Sequence, residues 1–96
     1  MAVYKVNLKK LNILADDAST EISSFEKKHG QRTSITSIKN QMKFISELSG
    51  NGLNPLERLK NGETFTFAII SSKELSSPEE LALKRKIDLV AKELTE

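Results

Sequence analysis

The chain of 96 residues contains no cysteine and no tryptophan. Without cysteine it can form neither disulfide bonds nor zinc sites of the finger type, and thiolate catalysis is excluded. The same absence fits a reducing compartment. Aromatic residues are scarce, with four Phe and one Tyr. The core must therefore be built mainly from Ile, Leu and Val.

Residue types that support catalysis are also sparse. The one histidine, His29, has no second His or Cys to complete a metal site, and we interpret it as a solvated residue at a helix C-terminus. The adjacent acids Asp16-Asp17 and Glu79-Glu80 would point about 100° apart on a helix, so neither pair predicts a carboxylate dyad. The glycines form no phosphate-binding pattern. We expect no catalytic residue, no cofactor, no metal and no small-molecule substrate.

Long apolar runs are absent as well. The N-terminal segment lacks a run of signal-peptide length, and no window approaches the roughly 18 apolar residues of a membrane span. We expect a single cytosolic domain over residues 1–96 with no membrane contact. The net charge of +2 is too small to argue for nucleic acid by itself. Cations nevertheless concentrate in the first half, where we predict a macromolecule-binding basic patch formed by Lys27, Lys28, Arg32, Lys39 and Lys43.

Two helices are predicted from apolar residues spaced alternately three and four positions apart. The first spans roughly residues 9–28 and stops at Gly30, with a stripe of Leu8, Leu11, Ala15, Ala18, Ile22 and Phe25. The second is capped by Thr33 or Ser34 and ends at Ser49-Gly50, with a stripe of Ile35, Ile38, Met42, Ile45 and Leu48. Similar stripes and a short link favour an antiparallel hairpin. The alternative is a DNA-binding helix-turn-helix that presents Ser34, Ser37, Asn40 and Gln41 to bases and phosphates.

The segment from Asn54 to Gly62 allows two interpretations. Asn54 as N-cap and Pro55 as first residue predict a short helical turn that stops at Asn61-Gly62. Alternatively, Leu56–Lys60 is a strand and Asn61-Gly62 a type I′ hairpin turn. Leucines at 53, 56 and 59 recur every three residues, which favours the helical turn.

Two strands are predicted. Residues 63–70 alternate Phe65, Phe67 and Ile69 with smaller side chains, and the polar segment 71–74 follows. Val3–Val6 is rich in strand-forming residues. Such a small sheet leaves both edges open. We therefore predict association with a protein partner or a second copy, as in a dimer, through an edge formed by Thr64, Phe65, Thr66 and Phe67.

The last helix has the clearest start. Ser77 is the predicted N-cap, Pro78 the first helical residue and Glu80 the partner in a capping box. Its apolar stripe consists of Leu83, Ile87, Val90 and Leu94. The element order is β-α-α-β-α, so the predicted fold class is α+β, with the helical hairpin and the C-terminal helix packed on a two-stranded sheet.

A partial family resemblance accompanies this order. A helix ending at Ile45–Gly50 is followed by Pro55, by Leu59–Gly62 and by the predicted strand, and Ser77-Pro78 starts a closing helix. This path resembles the HigB-like branch of the RelE/HigB superfamily of ribosome-dependent mRNA-cleaving toxins. The resemblance implies a toxin–antitoxin component acting on mRNA. In that family, further strands carry the residues that bind and cleave mRNA. Those strands have no counterpart in this sequence, so we assign no catalytic residue from the resemblance.

The function we expect is that of a small non-enzymatic regulator or inhibitor that binds a macromolecule. Its size and Lys/Ser/Ile-rich composition suit a protein encoded by a phage or other mobile element. A mRNA-directed toxin component and a DNA-binding helix-turn-helix protein are the alternatives, which leaves nucleic acid open as a partner.

Overall fold

The computed structural model describes residues 6–59 and 64–95. Four α-helices and one 3₁₀ turn occur in these ranges, and no strand does. The predicted α+β fold is therefore wrong, and the described chain is a helical bundle. Its elements are α1 (Leu8–His29), α2 (Thr33–Gly50), the 3₁₀ turn (Pro55–Arg58), α3 (Phe67–Glu74) and α4 (Pro78–Thr95).

Helix α1 confirms the first predicted helix. Asn7 caps its start, where the side-chain oxygen accepts a hydrogen bond from the Lys10 backbone N–H at 3.1 Å. Gly30 ends it with φ of 84°, a left-handed conformation that suits glycine. The predicted stripe is the buried face, because Leu11, Ala15, Ala18 and Ile22 are completely buried.

Helices α1 and α2 form an antiparallel hairpin. Near one end, Asn12 Nδ2 donates a hydrogen bond to the Ser46 carbonyl oxygen at 2.7 Å. Near the other, Lys39 Nζ lies 2.5 Å from Glu26 Oε1. Contacts at both ends align the helices along their length, whereas the helices of a helix-turn-helix cross at about 90–120°. The geometry is therefore that of the plain hairpin.

Helix α4 also runs antiparallel to α1. Ion pairs join the two helices at intervals: Lys10 to Glu93 at 3.4 Å, Lys86 to Asp17 at 2.6 Å and Lys28 to Glu79 at 3.1 Å. The predicted stripe of α4 faces inward, since Leu83, Ile87, Val90 and Leu94 are all buried. The two alanines of α1 let its neighbours pack closely, and α1 becomes the central helix.

The short helical turn is confirmed. Residues Pro55–Arg58 form a 3₁₀ turn, and Asn54 Oδ1 accepts a hydrogen bond from the Leu56 backbone N–H at 3.0 Å. Pro55 is buried and anchors the turn against the end of α2. The Asn61-Gly62 stop signal lies outside the described residues.

The strand predicted for residues 63–70 is wrong. Residues 64–66 are irregular, and Phe67 begins α3. Phe67, Ser71 and Leu75 are buried and recur every four residues, a helical period that leaves Ile69 57% exposed. Over so short a segment, apolar and polar residues alternate by chance. The helix forms because it packs Phe67 and Leu75 into the core, which outweighs the local preference for a strand. The predicted polar segment 71–74 completes α3.

The other predicted strand, Val3–Val6, lies outside the described residues except for Val6. That residue packs against the core in an irregular segment just before α1. Buried side chains from all four helices form one core cluster.

Replacing two side chains of α3 by alanine distinguishes the observed helix from the predicted strand. In a strand, Phe67 and Ile69 would share one face; in α3 only Phe67 is buried. We expect Phe67→Ala to lower the free energy of unfolding by about 3–5 kcal/mol and Ile69→Ala to change it by less than about 0.5 kcal/mol. Chemical denaturation followed by circular dichroism measures both, and equal losses would contradict the helix.

Candidate binding groove

The candidate functional site is a groove along the outward face of α2. Because Ile35, Ile38, Met42 and Ile45 are buried, the opposite side of the helix is left to the surface. We call this site the α2 groove; it is an open feature of about 890 Å³. The α2 side chains that line it are Thr33, Thr36, Ser37, Asn40, Gln41 and Phe44.

Two other segments form the facing wall of the α2 groove. Arg58 and Leu59 come from the 3₁₀ turn, while Thr64 and Phe65 come from the segment before α3. The turn is held by its buried Pro55 and by the Asn54 cap. Local capping and burial thus place Arg58 opposite the polar face of α2.

The Gln41 amide joins the two walls. Its Oε1 accepts hydrogen bonds from the backbone N–H groups of Thr66 at 2.9 Å and Phe67 at 3.0 Å. Its Nε2 donates to Ser37 Oγ at 3.3 Å and to Thr66 Oγ1 at 3.1 Å. The first N–H groups of a helix lack intrahelical partners, so Gln41 caps α3 from a neighbouring helix. Its side chain is therefore committed to structure.

Aromatic rings form the apolar end of the α2 groove. The Phe44 and Phe65 rings meet edge to face with centroids 5.9 Å apart, and Phe65 lies 5.8 Å from Phe67. Phe67 is in the core, while Phe44 is 37% exposed. The row of rings therefore leads from the core to the surface and ends in the partly exposed ring of Phe44.

The basic patch predicted from sequence is largely neutralised. Lys28 pairs with Glu79, Arg32 with Glu80 at 2.7 Å, and Lys39 with Glu26. Lys27 and Lys43 are exposed, and neither has an ion pair within residues 6–59 and 64–95. The five cations therefore do not act as one concentrated positive surface. Arg32 is the member that lines the α2 groove.

The predicted edge-strand interface is wrong, because residues 64–66 are irregular and Phe67 begins α3. The four residues now have separate roles. Phe65 lines the α2 groove beside Thr64, the Thr66 hydroxyl and N–H bond to Gln41, and Phe67 is buried.

His29 belongs to an ion-pair cluster at the end of the bundle. Its Nε2 lies 2.7 Å from Glu79 Oε2, and its ring packs against Phe25 at a tilt of 38°, with the centroids 4.6 Å apart. The Arg32 guanidinium lies over the Phe25 ring, 5.5 Å from its centroid. The described residues contain no group of three or more side chains placed to bind a metal ion. Among them, no helix is long and apolar enough to cross a membrane.

The two carboxylates of this cluster have lowered pKa values. Hydrogen bonding from Lys28, followed by its charge and by His29, lowers the pKa of Glu79. The backbone N–H of Ser77 is the largest cause for Glu80, followed by Arg32, and together these groups lower the pKa of Glu80 to about 2. The capping box of α4 is confirmed, since the Glu80 N–H also donates to Ser77 Oγ at 3.3 Å.

Sequence reasoning missed the α2 groove as a site. Gln41 was noticed only as a base-reading residue of a helix-turn-helix, and Phe44 was not singled out. A signal was present: positions 33, 37, 40, 41 and 44 follow helical spacing on the face opposite the apolar stripe. Arg58 had no comparable signal, because its position opposite α2 depends on the path of the chain after the turn.

Comparison with protein-family models, with curated proteins and with solved structures gives no match to this chain. The RelE/HigB resemblance therefore stays a prediction, and the strand that formed part of it is helical here.

Removal of the Gln41 amide tests its role as a cap. We expect Gln41→Ala to lower the free energy of unfolding by about 1–2 kcal/mol, because two N–H groups at the start of α3 lose their acceptor. Asn40→Ala, at the exposed neighbouring position, is the control and should change it by less than about 0.5 kcal/mol. Equal effects in chemical denaturation would show that Gln41 does not cap α3.

The Glu80 carboxylate makes the free energy of unfolding depend on pH in the acid range. Its pKa is lowered from 4.5 to about 2 on folding, so its stabilisation is complete above about pH 4.5 and is lost as the pH falls towards 2. Glu80→Gln keeps a capping-box side chain but removes the charge. We expect the variant to be less stable than the wild type at pH 7 and the difference to shrink near pH 2.5. Chemical denaturation at both pH values measures this, with the exposed Glu47→Gln as control; a difference independent of pH would contradict it.

Proposed function

We propose that this chain is a small non-enzymatic regulator or inhibitor that binds a macromolecular partner in the α2 groove and acts in the cytosol. One observation carries the proposal: the groove combines an exposed aromatic ring, two arginines and a row of hydrogen-bonding side chains. Aromatic residues and Arg are the types that contribute most to binding energy at macromolecular interfaces.

The rigidity of the groove supports the proposal. Gln41 fixes the start of α3 to α2, and the Phe44–Phe65–Phe67 contacts continue into the core. A surface held in its binding shape loses less conformational entropy when a partner binds. The α2 groove also replaces the open sheet edge as the reason to expect a partner, because the described residues contain no strand.

The experiment uses the full chain as an immobilised bait in a lysate of its source cells. We expect Asn40→Glu/Phe44→Ala to lose partners that the wild type retains, because both positions line the α2 groove. The matched control is Arg85→Glu/Leu89→Ala, which makes the same kinds of change at exposed positions of α4. Mass spectrometry and nucleic-acid staining of the same eluates identify what is lost.

Circular dichroism must show that both double variants are folded, so that the comparison reports on the surface alone. Retention of the same partners by all three baits would overturn the proposal. Loss of a partner by the α4 control alone would place the binding surface elsewhere.

A further inference from the structure

The described lining of the α2 groove contains no carboxylate. Its charged members are Arg32 and Arg58, and the rest are amides, hydroxyls and apolar side chains. Two acids on the hairpin and on α4 are committed: Glu26 accepts hydrogen bonds from Lys39 and Thr36, and Glu80 accepts one from Arg32. Glu47 on α2 and Glu57 on the 3₁₀ turn are exposed but do not line the groove. A negatively charged partner would therefore meet no carboxylate among the described residues that line the groove.

Two exposed cations, Arg58 and Lys43, have no ion pair in the described parts of the chain, and only Arg58 is among the residues that line the groove. Arg58 lies on one wall of the groove, and Lys43 precedes Phe44 on α2. Arg32 also lines the groove, but its pairing with Glu80 reduces the charge that it offers. The unpaired positive charge of the groove is therefore that of Arg58, which lines it together with Phe44.

The polar side chains decide between two kinds of anionic partner. The α2 wall carries Ser and Thr hydroxyls with the Asn40 amide. Serine is depleted at protein–protein interfaces, and Ser and Thr are rare among their energetic hot spots. The same hydroxyl and amide groups are common ligands of nucleic-acid phosphates and sugars. The combination of these groups with Arg and an exposed aromatic ring favours nucleic acid over an acidic protein.

The shape favours a single strand over a duplex. Proteins that read a duplex usually insert a protruding helix or ribbon into the major groove. Here α2 does not protrude, because it is one wall of a groove and a second wall faces it. The faces of bases are stacked inside a duplex and become available to an aromatic side chain only in a single strand.

We propose that the α2 groove binds single-stranded nucleic acid, with a base against Phe44 and a backbone phosphate against Arg58. This inference rests on the proposed function and names the class of its partner. The hydroxyls of Thr33 and Ser37 and the Asn40 amide then donate to phosphate or sugar oxygens along the strand, while the Thr36 hydroxyl stays bonded to Glu26. Recognition of this kind tolerates many sequences, because every base has a π-face.

The test measures fluorescence anisotropy of labelled 15-nucleotide oligo-dT and oligo-U with the full-length protein over a range of salt concentrations. We expect both single strands to bind more tightly than a 15-base-pair duplex of mixed sequence. An unlabelled poly-glutamate peptide of equal charge, added as competitor, should not displace them. DNA and RNA arms show which backbone is preferred.

Three variants locate the binding. Phe44→Leu keeps an apolar side chain but removes the ring, and it should weaken single-strand binding about fivefold or more. Arg58→Gln should weaken binding and make the slope of log affinity against log salt shallower by about 0.7, the value for one phosphate contact to a single strand. Arg85→Gln removes an exposed cation of α4 and should leave both quantities unchanged.

Several results would overturn the inference: no binding of either single strand, tighter binding of the duplex, displacement by poly-glutamate, or equal effects of the groove and α4 variants. The capture experiment separates this failure from that of the proposed function. If the oligonucleotides fail while the groove double variant still loses a protein partner, the proposed function stands without the nucleic acid. Failure of both experiments would end both proposals.

Discussion

The hydrogen bonds of the Gln41 amide are the constraint on which much of this structure depends. They supply an acceptor to two backbone N–H groups that the first turn of α3 cannot satisfy by itself. They also fix the irregular segment before α3 against α2, which brings Phe65 to Phe44. One side chain thus caps a helix of eight residues, too short to be stable in isolation, and builds a wall of the candidate site.

The bundle around this contact is organised by α1. Its alanines allow close packing along the seam, and α2 and α4 both run antiparallel to it. Ion pairs line the α1–α4 contact from one end to the other, but exposed pairs contribute little individually. The buried apolar stripes therefore supply most of the stabilisation, while the ion pairs fix the relative register of the helices. The lowered pKa of Glu79 follows from that register, because Lys28 and His29 belong to α1. The lowered pKa of Glu80 comes first from the Ser77 N–H at the start of α4 and then from Arg32.

The same register determines which charges are available for binding. A cluster of cations in the first half of the sequence suggested a basic surface, yet three of its five members are paired with carboxylates in the folded chain. Charge availability therefore depends on pairing in three dimensions and not on linear density. Arg58, which lies outside that cluster, lines the same groove as an exposed aromatic ring and hydrogen-bonding groups, and that combination is the chemical basis of the proposed binding function.

The sequence by itself determined the three long helices, the short turn at Pro55 and the buried stripes of α1, α2 and α4, because helical spacing and capping are local properties. Only the tertiary structure decided that residues 67–74 are helical. Their side chains alternate as in a strand, but burial of Phe67, Ser71 and Leu75 on one helical face and a cap supplied by another helix outweigh that local preference. The α2 groove was likewise a tertiary outcome, because its facing walls come from segments whose approach no local pattern encodes.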